Sequence, residues 1–293
     1  MIVAFVMLQS RTYSQTLPMY SQYMYNMTTI NPAYAGNGVS PSVSVIWKEQ
    51  WSGQTGAPST KTIALDLPSS QRKFGFGIQL FDDRFAKVVH RTGANLFYSL
   101  KIPVSKRGLL SLGLKGGFYN DVKTLTNINL GPFYAYDPAF ANNSNSIIPL
   151  GGAGVYYNDD HFFAGFSAPD VITFSKEKKY NSDSSLSKVN QVHYYFTSGY
   201  TFDLSEEVKL KPSLLLKASI GGLLQADFNV NVWLQNLVSL GASYRSESFL
   251  AMAEVQVNQK FRVGYAYDMP FQSANTSELI LSLNFGKLIK NSE

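Results

Sequence analysis

Apolar and polar residues alternate with a period of two along most of the chain, from about residue 42 to residue 285. In the stretch 74–80, every second residue is Phe, Ile or Leu, and the residues between them are Gly or Gln. Successive side chains of a β-strand point to opposite faces, so this pattern predicts strands with one apolar and one polar face. No long stretch shows the helical period of 3.6 residues.

About fourteen such stretches can be counted. They begin near Val43, Thr60, Lys73, Arg91, Leu109, Ile148, His161, Gln191, Val208, Leu224, Val238, Phe249, Lys260 and Ser277. Short connections, predicted at 68–72, 103–108, 158–160, 203–207, 235–237 and 258–259, alternate with longer ones, which include 81–90, 119–147, 168–190 and 269–276. Bacterial outer-membrane barrels place short turns in the periplasm and longer loops outside. We therefore predict an all-β, antiparallel transmembrane barrel in an outer membrane, with both termini in the periplasm.

Composition favours this barrel over a soluble β-sandwich or propeller. Charged residues make up 15% of the chain and aromatic residues 14%, and there is no cysteine. Few charges and many aromatics are typical of a surface that faces lipid. A soluble β protein would explain the alternation but not this balance. Aromatic residues near predicted strand ends are interpreted as interfacial girdles: Tyr119, Tyr156, Tyr157, Phe162, Phe163 and Trp233.

The first residues have the features of a signal peptide. Ile2–Leu8 is apolar but much shorter than the ~20 residues of a spanning helix. Thr12, Tyr13 and Ser14 precede a predicted cut before Gln15. The charged start of such a peptide is absent, which we interpret as a start truncated relative to the precursor; a buried strand or helix is the alternative. The predicted organisation is a signal peptide (1–14), an N-terminal segment (15–38) and the barrel (39–293).

Periodicity does not explain a set of motifs between the signal peptide and the second strand. They read Pro-Met-Tyr-Ser-Gln-Tyr-Met at 18–24, Asn-Pro-Ala-Tyr-Ala-Gly at 31–36, Gln-Trp at 50–51 and Gly-Ala-Pro at 56–58. In order and spacing they resemble the PorP/SprF family of outer-membrane proteins from Bacteroidetes. The residues that we carry over as candidates for partner binding or for a plug are Tyr20, Gln22, Tyr23, Asn31, Pro32, Tyr34, Gln50, Trp51, Gly56 and Pro58.

This resemblance implies a role in the type IX secretion system and in gliding motility. It implies that the barrel helps to secrete, or to hold at the cell surface, a large adhesin that carries a C-terminal sorting signal. It also implies a periplasmic peptidoglycan-binding lipoprotein as a second partner. Outer-membrane lipid surrounds the barrel in this interpretation.

The N-terminal segment is rich in Tyr and almost without charge, so it would be poorly soluble if left loose. Barrels of eight strands are filled by their own side chains, whereas 16–18 strands leave a channel, so fourteen leave room for a plug. We predict that residues 15–38 fold into or across the barrel mouth; an ordered periplasmic strap that binds a partner is the alternative. Small inward residues would provide space: Gly75, Gly77, Gly93, Gly113, Gly199, Gly241 and Gly264.

Gln50, Trp51 and the Gly-Ala-Pro motif at 56–58 fall in the first outer loop by the strand count. They are interpreted either as a rim loop folded over the barrel or as a contact for the secreted adhesin. The pairs Asp82-Asp83 and Asp159-Asp160 border predicted connections and are interpreted as turn residues.

Residues that would carry chemistry are scarce. The three histidines, His90, His161 and His193, are not at metal-ligand spacing, and no Gly-x-Ser-x-Gly sequence is present. Positive charges are scattered, which disfavours nucleic acid as a partner. We expect no catalytic site, metal or cofactor. A channel for solutes or lipids remains the alternative function, based on predicted inward charges at Lys209, Lys211, Lys217, Glu254 and Arg262. The motifs favour the secretion role.

Overall fold

The computed structural model describes residues 20–127, 140–176, 186–188, 192–219, 224–246 and 248–286. The predicted signal peptide and residues 15–19 of the N-terminal segment lie outside these ranges. Three short 3-10 helices, η1 (Tyr23–Tyr25), η2 (Met27–Thr29) and η3 (Pro32–Tyr34), precede the strands, and a fourth, η4 (Leu125–Asn127), follows the fifth strand. Within the described ranges no helix is long and apolar enough to cross a membrane.

Fourteen long strands form a closed antiparallel barrel, to which two short strands are added. The strands are β1 (Ser42–Glu49), β2 (Ser59–Pro68), β3 (Phe74–Phe85), β4 (Val89–Pro103), β5 (Leu109–Lys123), β6 (Ser144–Asn158), β7 (Phe162–Lys176), β8 (Leu186–Lys188), β9 (His193–Tyr200), β10 (Phe202–Asp203), β11 (Val208–Ser219), β12 (Gln225–Leu234), β13 (Val238–Arg245), β14 (Ser248–Gln256), β15 (Phe261–Pro270) and β16 (Thr276–Asn284). The first strand pairs with the last, and β9 pairs with both β7 and β11, so the sheet closes. Short β8 and β10 extend the pairing of β7 and β11. The predicted barrel and its strand number are confirmed.

Alternation along each strand decides which side chains face lipid. In β3, exposed and buried residues alternate, with Phe76 48% exposed and Gln79 6% exposed. The same alternation runs through β14, where every second residue is buried. Among the described strands, closure leaves no unpaired sheet edge, as the hydrocarbon region of a membrane requires. The apolar-out, polar-in interpretation is therefore confirmed.

The connections divide the barrel into two ends. One end, called here the short-turn end, carries the connections 69–73, 104–108, 159–161, 201–207, 235–237 and 257–260, together with the start of β1 and the end of β16. The other, called the loop end, carries the connections 50–58, 86–88 and 271–275, and there β5, β7, β11 and β13 end and β6, β9, β12 and β14 begin. Bacterial outer-membrane barrels have their longer loops outside and their short turns in the periplasm, and we expect the same orientation for these two ends.

One predicted long connection is wrong. Strand β3 continues to Phe85 and β4 begins at Val89, so residues 86–88 form a tight turn in place of a loop at 81–90. Asp82 and Asp83 therefore lie within β3, not in a turn. Asp82 accepts hydrogen bonds from Arg84 and pairs with His90, and these side-chain contacts stabilise charged strand residues beyond the apolar stretch. The Asp159 prediction is confirmed, because its carboxylate caps the turn at 159–161.

The girdle interpretation is wrong for four of the six aromatic residues. Tyr119, Tyr156, Phe163 and Trp233 point inward, where Tyr119 and Tyr156 are almost completely buried. Position in the alternation decides this: Tyr156 and Tyr157 are adjacent, so only one of them faces lipid. Tyr157 and Phe162 remain on the outer surface and pack against each other near the short-turn end.

Candidate functional site

Residues Tyr20–Gly38, the described part of the predicted segment 15–38 and from here on called the N-terminal segment, lie inside the barrel. Polar side chains from strands around the whole circumference bind them, including Thr62 (β2), Ser99 and Lys101 (β4), Ser167 (β7), Asn229 (β12), Ser239 (β13) and Glu278 (β16). The five candidate residues Tyr20, Gln22, Tyr23, Asn31 and Pro32 are all buried there, and Tyr34 is partly buried. The structure thus brings the first six candidates together in the lumen.

A carboxylate of β16 holds the start of the N-terminal segment. Glu278 is 1% exposed, and its two carboxylate oxygens accept the backbone N–H groups of Ser21 (2.7 Å) and Gln22 (2.8 Å). The side-chain amide of Gln22 also donates to the backbone carbonyl of Glu278 at 3.0 Å. Hydrogen bonds to an ionised carboxylate are about twice as strong as neutral ones. Lys48 lies directly opposite Glu278 in the β1–β16 register and supplies the opposite charge.

An arginine of β13 completes this attachment. Arg245 donates to the backbone carbonyl of Ser21 at 3.1 Å and pairs with Asp268 at 3.1 Å and with Asp227 at 2.9 Å. Nearby, the hydroxyl groups of Tyr20 and Thr62 are 2.5 Å apart. We call the group formed by Glu278, Arg245, Asp227, Asp268 and Thr62 the outer anchor.

The middle of the N-terminal segment packs through aromatic and aliphatic side chains. Tyr23, Met27, Ile30 and Ala33 form one cluster with Tyr156 and Leu215 of the barrel wall. The Tyr23 hydroxyl accepts from Asn229 at 2.5 Å, and Tyr25 packs edge-on against Trp233. The Tyr25 hydroxyl also lies 3.3 Å from the hydroxyl of Ser239 on β13.

Asn31 and Pro32 shape the turn into the last 3-10 helix. The Asn31 side-chain oxygen accepts the N–H of Ala33 at 3.0 Å, which caps η3, and Pro32 occupies the first helical position. The Asn31 amide nitrogen donates to the carbonyl of Val155 at 3.0 Å. The Asn-Pro motif therefore has a structural role that links a cap to the barrel wall.

The N-terminal segment leaves the lumen at Ala35 and Gly36. Ser99 donates to the carbonyl of Ala35 at 2.6 Å, Lys101 donates to the carbonyl of Gly36, and the N–H of Gly36 donates to Asp66 at 2.5 Å. Gly36 has a φ of +62°, and a Cβ there would collide with the backbone of β3. Only glycine meets both conditions without strain. We call Asp66, Ser99 and Lys101 the inner anchor.

Three of the seven predicted small inward residues make room for the N-terminal segment. A Cβ at Gly75 or Gly113 would collide with Ala35 or Ala33 respectively, and a Cβ at Gly264 would collide both with Ile280 of the wall and with Gln22. The other four, Gly77, Gly93, Gly199 and Gly241, make room for barrel side chains instead: Phe97, Phe81, Phe163 and Asn231.

Sequence reasoning missed two glycines and both anchors. Gly154 and Gly165 face Asn31, and a Cβ on either would meet its side chain. The alternation of β6 and β7 places both glycines on the inner face, and this pattern could have identified them from the sequence. Nothing comparable identifies Glu278 or Arg245, because their partners are more than two hundred residues away in the chain.

The remaining four candidates form a separate group at the loop end. The N–H of Gln50 donates to Pro58 at 2.9 Å, and the Trp51 ring packs on Phe85 with centroids 5.9 Å apart. Gly56 accepts the N–H of Ala86 at 3.1 Å, which ties loop 50–58 to the β3–β4 turn. These residues make a folded rim loop and are not brought together with the N-terminal segment.

A family model described as type IX secretion system membrane protein PorP/SprF matches residues 12–283. No curated protein sequence matches the chain. Similar solved structures include the Ralstonia pickettii toluene transporter TbuX (9% identity, 88% of this chain and 93% of that chain, TM-score 0.49). They also include the P. putida toluene transporter TodX (10% identity, 87% and 92%, TM-score 0.48) and the Acinetobacter baumannii outer membrane protein Omp33 (9% identity, 85% and 100%, TM-score 0.45).

The matched range of the family model contains both the N-terminal motifs and almost the whole barrel. It confirms the family to which the motifs pointed, and with the closed fourteen-stranded barrel it places the protein in the outer membrane. The chain belongs to the PorP/SprF family of type IX secretion system membrane proteins.

Proposed function

We propose that this barrel is a partner-binding component of the type IX secretion system, which assists the secretion or surface anchoring of a large adhesin with a C-terminal sorting signal. The observation that carries the proposal is that the lumen holds the protein's own N-terminal segment, bound at the outer anchor, at the inner anchor and along the cluster between them. Because the N-terminal segment occupies the lumen, partner proteins would bind to the outer and periplasmic rims of the barrel.

The N-terminal segment acts as a plug in this proposal, not as a periplasmic strap. Its buried residues alternate between apolar contacts with Tyr156 and Leu215 and hydrogen bonds to the wall. A strap that binds a periplasmic partner would need these faces free. The Tyr-Ser-Gln-Tyr and Asn-Pro-Ala-Tyr motifs therefore serve the plug.

The folded rim loop 50–58 supports adhesin binding at the outer face. It is held to the β3–β4 turn and, through Ser52, to the loop 271–275. Residues 52–55 at its tip are exposed. A loop that is already held by backbone hydrogen bonds loses less conformational entropy on binding a partner than a free loop does. The peptidoglycan-binding lipoprotein would bind at the short-turn end, where the chain also leaves β16 towards the periplasm.

Site-specific photo-crosslinking in native cells tests this function. The photoreactive residue is placed at Gln54 in the rim loop or at Lys106 in the turn 104–108, both of which are exposed. We expect an adduct with an adhesin that carries a C-terminal sorting domain from Gln54, and an adduct with a periplasmic lipoprotein from Lys106. Capture of neither class from correctly folded barrels would contradict the proposal.

A channel for solutes or lipids is the second candidate, and a specific cavity favours it. This cavity lies between the N-terminal segment and β9, β11 and β12, where Met24, Met27, Thr197, Lys211 and Asn231 line it. The ammonium group of Lys211 lies 4.9 Å from the centroid of the Phe163 ring. Steady ionic conductance of the intact barrel in a planar bilayer would support the channel against the plugged barrel.

A further inference from the structure

Charged side chains on the outer surface of the barrel are confined to one place. As far as the structure describes the fourteen long strands, their alternation directs an acidic, basic or histidine side chain outward at five positions only. All five lie near the loop ends of β1 to β4, and they are Glu49, Lys61, Asp82, Arg84 and His90. We call these five residues the charged sector.

The strand register joins the charged sector into two adjacent rows on the outer surface. The first row, across β1, β2 and β3, is Trp47, Lys61 and Asp82. The second row, two residues nearer the loop end and across β1 to β4, is Glu49, Ser59, Arg84 and His90. Diagonal neighbours in such rows are about 7–8 Å apart, so the long side chains of Lys61 and Arg84 can reach one common ligand.

Two cations of the charged sector keep hydrogen-bond donors available. The Asp82 carboxylate accepts from Nε of Arg84 at 3.0 Å and pairs with His90 at 2.6 Å, so it is already occupied. Among the described residues, the two terminal nitrogens of Arg84 have no acceptor. The Lys61 ammonium group lies 5.3 Å from the centroid of the Trp47 ring and forms no ion pair with a described residue. Both cations can therefore bind an anion that is not part of the chain.

The outer surface becomes apolar immediately next to the first row, towards the middle of the strands. Val45, Ile63 and Leu80 take the next outward positions of β1, β2 and β3, and they are 41–51% exposed. The Trp47 ring lies at the boundary between the charged and the apolar rows, as Trp does at membrane interfaces. This surface offers donors for an anionic headgroup beside an apolar row for acyl chains.

Another part of the barrel has a different surface at the same end. Tyr244, Phe249 and Met269 are paired neighbours near the loop ends of β13, β14 and β15, and all three are exposed. The Tyr244 and Phe249 rings pack with centroids 5.3 Å apart. The end of the apolar stretch can therefore be formed by aromatic and aliphatic side chains alone. The position of the cations on β2 and β3 thus indicates a local binding site.

We propose that the charged sector binds a phosphorylated glycolipid of the outer leaflet (lipid A), with a phosphate group between Lys61 and Arg84 and acyl chains along Val45, Ile63 and Leu80. The planar fork of arginine matches phosphate oxygens, and lysine adds a point charge. In the orientation expected for the barrel, the outer leaflet surrounds the loop end. This site is separate from the lumen, so the proposal goes beyond the secretion role and holds for a channel as well.

Native mass spectrometry of the full-length barrel tests this site. The protein is purified in mild detergent and freed of bound lipid, and three probes are added separately: phosphorylated lipid A, the same lipid A without its phosphates, and phosphatidylglycerol. The test variant carries Lys61→Gln and Arg84→Gln. The matched control carries Lys106→Gln and Arg107→Gln, which removes the same charge from the exposed turn 104–108 at the other end. Heat-modifiable migration selects folded barrels.

We expect the unaltered protein to bind one phosphorylated lipid A, and the test variant to bind it about thirtyfold more weakly, because each basic residue near an anionic lipid contributes a factor of about five. The control variant should bind it as the unaltered protein does. Asp82→Asn frees Arg84 and His90 from their carboxylate, so it should bind lipid A more tightly.

Several outcomes would overturn the proposal. Equal binding of the dephosphorylated lipid A would show that the phosphate is not recognised, and equal binding of phosphatidylglycerol would assign the charged sector to phospholipid. Equal weakening by the control variant would show that only net charge matters. Unchanged binding by the test variant would leave the charged sector as a contact for a neighbouring protein. If the test variant does not fold, Asp82→Asn decides, and unchanged or weaker binding there would overturn the proposal.

Discussion

Gln22 and Glu278 bind each other through main chain and side chain at once: the Glu278 carboxylate accepts the N–H of Gln22, and the Glu278 carbonyl accepts the Gln22 side-chain amide. This reciprocal pair joins residues 256 positions apart. It fixes the position of Gln22 along β16, close to the end of that strand at the loop end of the barrel. The Gln of the Tyr-Ser-Gln-Tyr motif is thereby explained by its partner.

Replacement of Glu278 should loosen the start of the N-terminal segment. Glu278→Ala leaves the N–H groups of Ser21 and Gln22 without acceptors, and each buried unsatisfied group costs about 1–3 kcal/mol. We expect faster deuterium exchange of the amides of residues 21–25, measured by mass spectrometry of the folded barrel. Glu278→Gln, which keeps one acceptor oxygen, should give an intermediate rate. Unchanged exchange in Glu278→Ala would show that the outer anchor does not hold the segment.

Substitution of two glycines in β5 tests how closely the N-terminal segment packs against the barrel wall. A Cβ at Gly113 would collide with the backbone of Pro32 and Ala33, whereas a Cβ at Gly116 meets nothing within 4 Å. Overpacking of this kind costs about 1–3 kcal/mol. We expect Gly113→Ala to lower the temperature of heat modification and to increase exchange at residues 31–35, while Gly116→Ala leaves both unchanged. Equal behaviour of the two variants would contradict the close packing at η3.

The sequence predicts the barrel well because lipid imposes a simple rule on it. Every second residue of a spanning strand must be apolar, and this constraint acts on each strand separately. Observed starts of strands such as β5, β11 and β13 therefore coincide with the predicted Leu109, Val208 and Val238. Prediction fails at Asp82, which was predicted to border a loop. Its contacts with Arg84 and His90 accommodate a charged residue inside β3, which continues to Phe85.

The lumen is less predictable because its contacts join distant parts of the chain. Inward positions can be recognised from the alternation, yet alternation does not say which of them meets the N-terminal segment. Gly75 and Gly113 contact it, whereas the equally inward Gly93 makes room for Phe81. The outer anchor combines residues from β2, β12, β13, β15 and β16, and only the closure of the barrel between β1 and β16 brings Thr62 of β2 to the others.

Asn31 should stabilise the turn at η3 through its side-chain oxygen more than through its nitrogen. Removal of an N-cap costs about 0.5–2 kcal/mol, so Asn31→Ala should expose the amides of residues 33–35 to exchange. Asn31→Asp keeps the acceptor for Ala33 but loses the donor to Val155, and it should retain most of the protection. Equal loss in both variants would mean that the bond to Val155 is the important one. Exchange in β12, on another part of the wall, is the internal control.

Deletion of the N-terminal segment should convert a closed barrel into a conducting one. A variant that lacks residues 20–36 but keeps β1 to β16 loses every contact of Tyr23, Met27 and Ile30 with Tyr156 and Leu215, so the lumen space that they fill becomes available to water. Fourteen strands enclose more than the eight that side chains alone can fill. We expect steady ionic conductance from the deletion variant in planar bilayers and little from the intact protein. Glu278→Ala should lie between them, with brief openings as the outer end is released. Equal conductance of the intact and deleted barrels would mean that the segment does not close the lumen, and the channel would then be the better account of this protein.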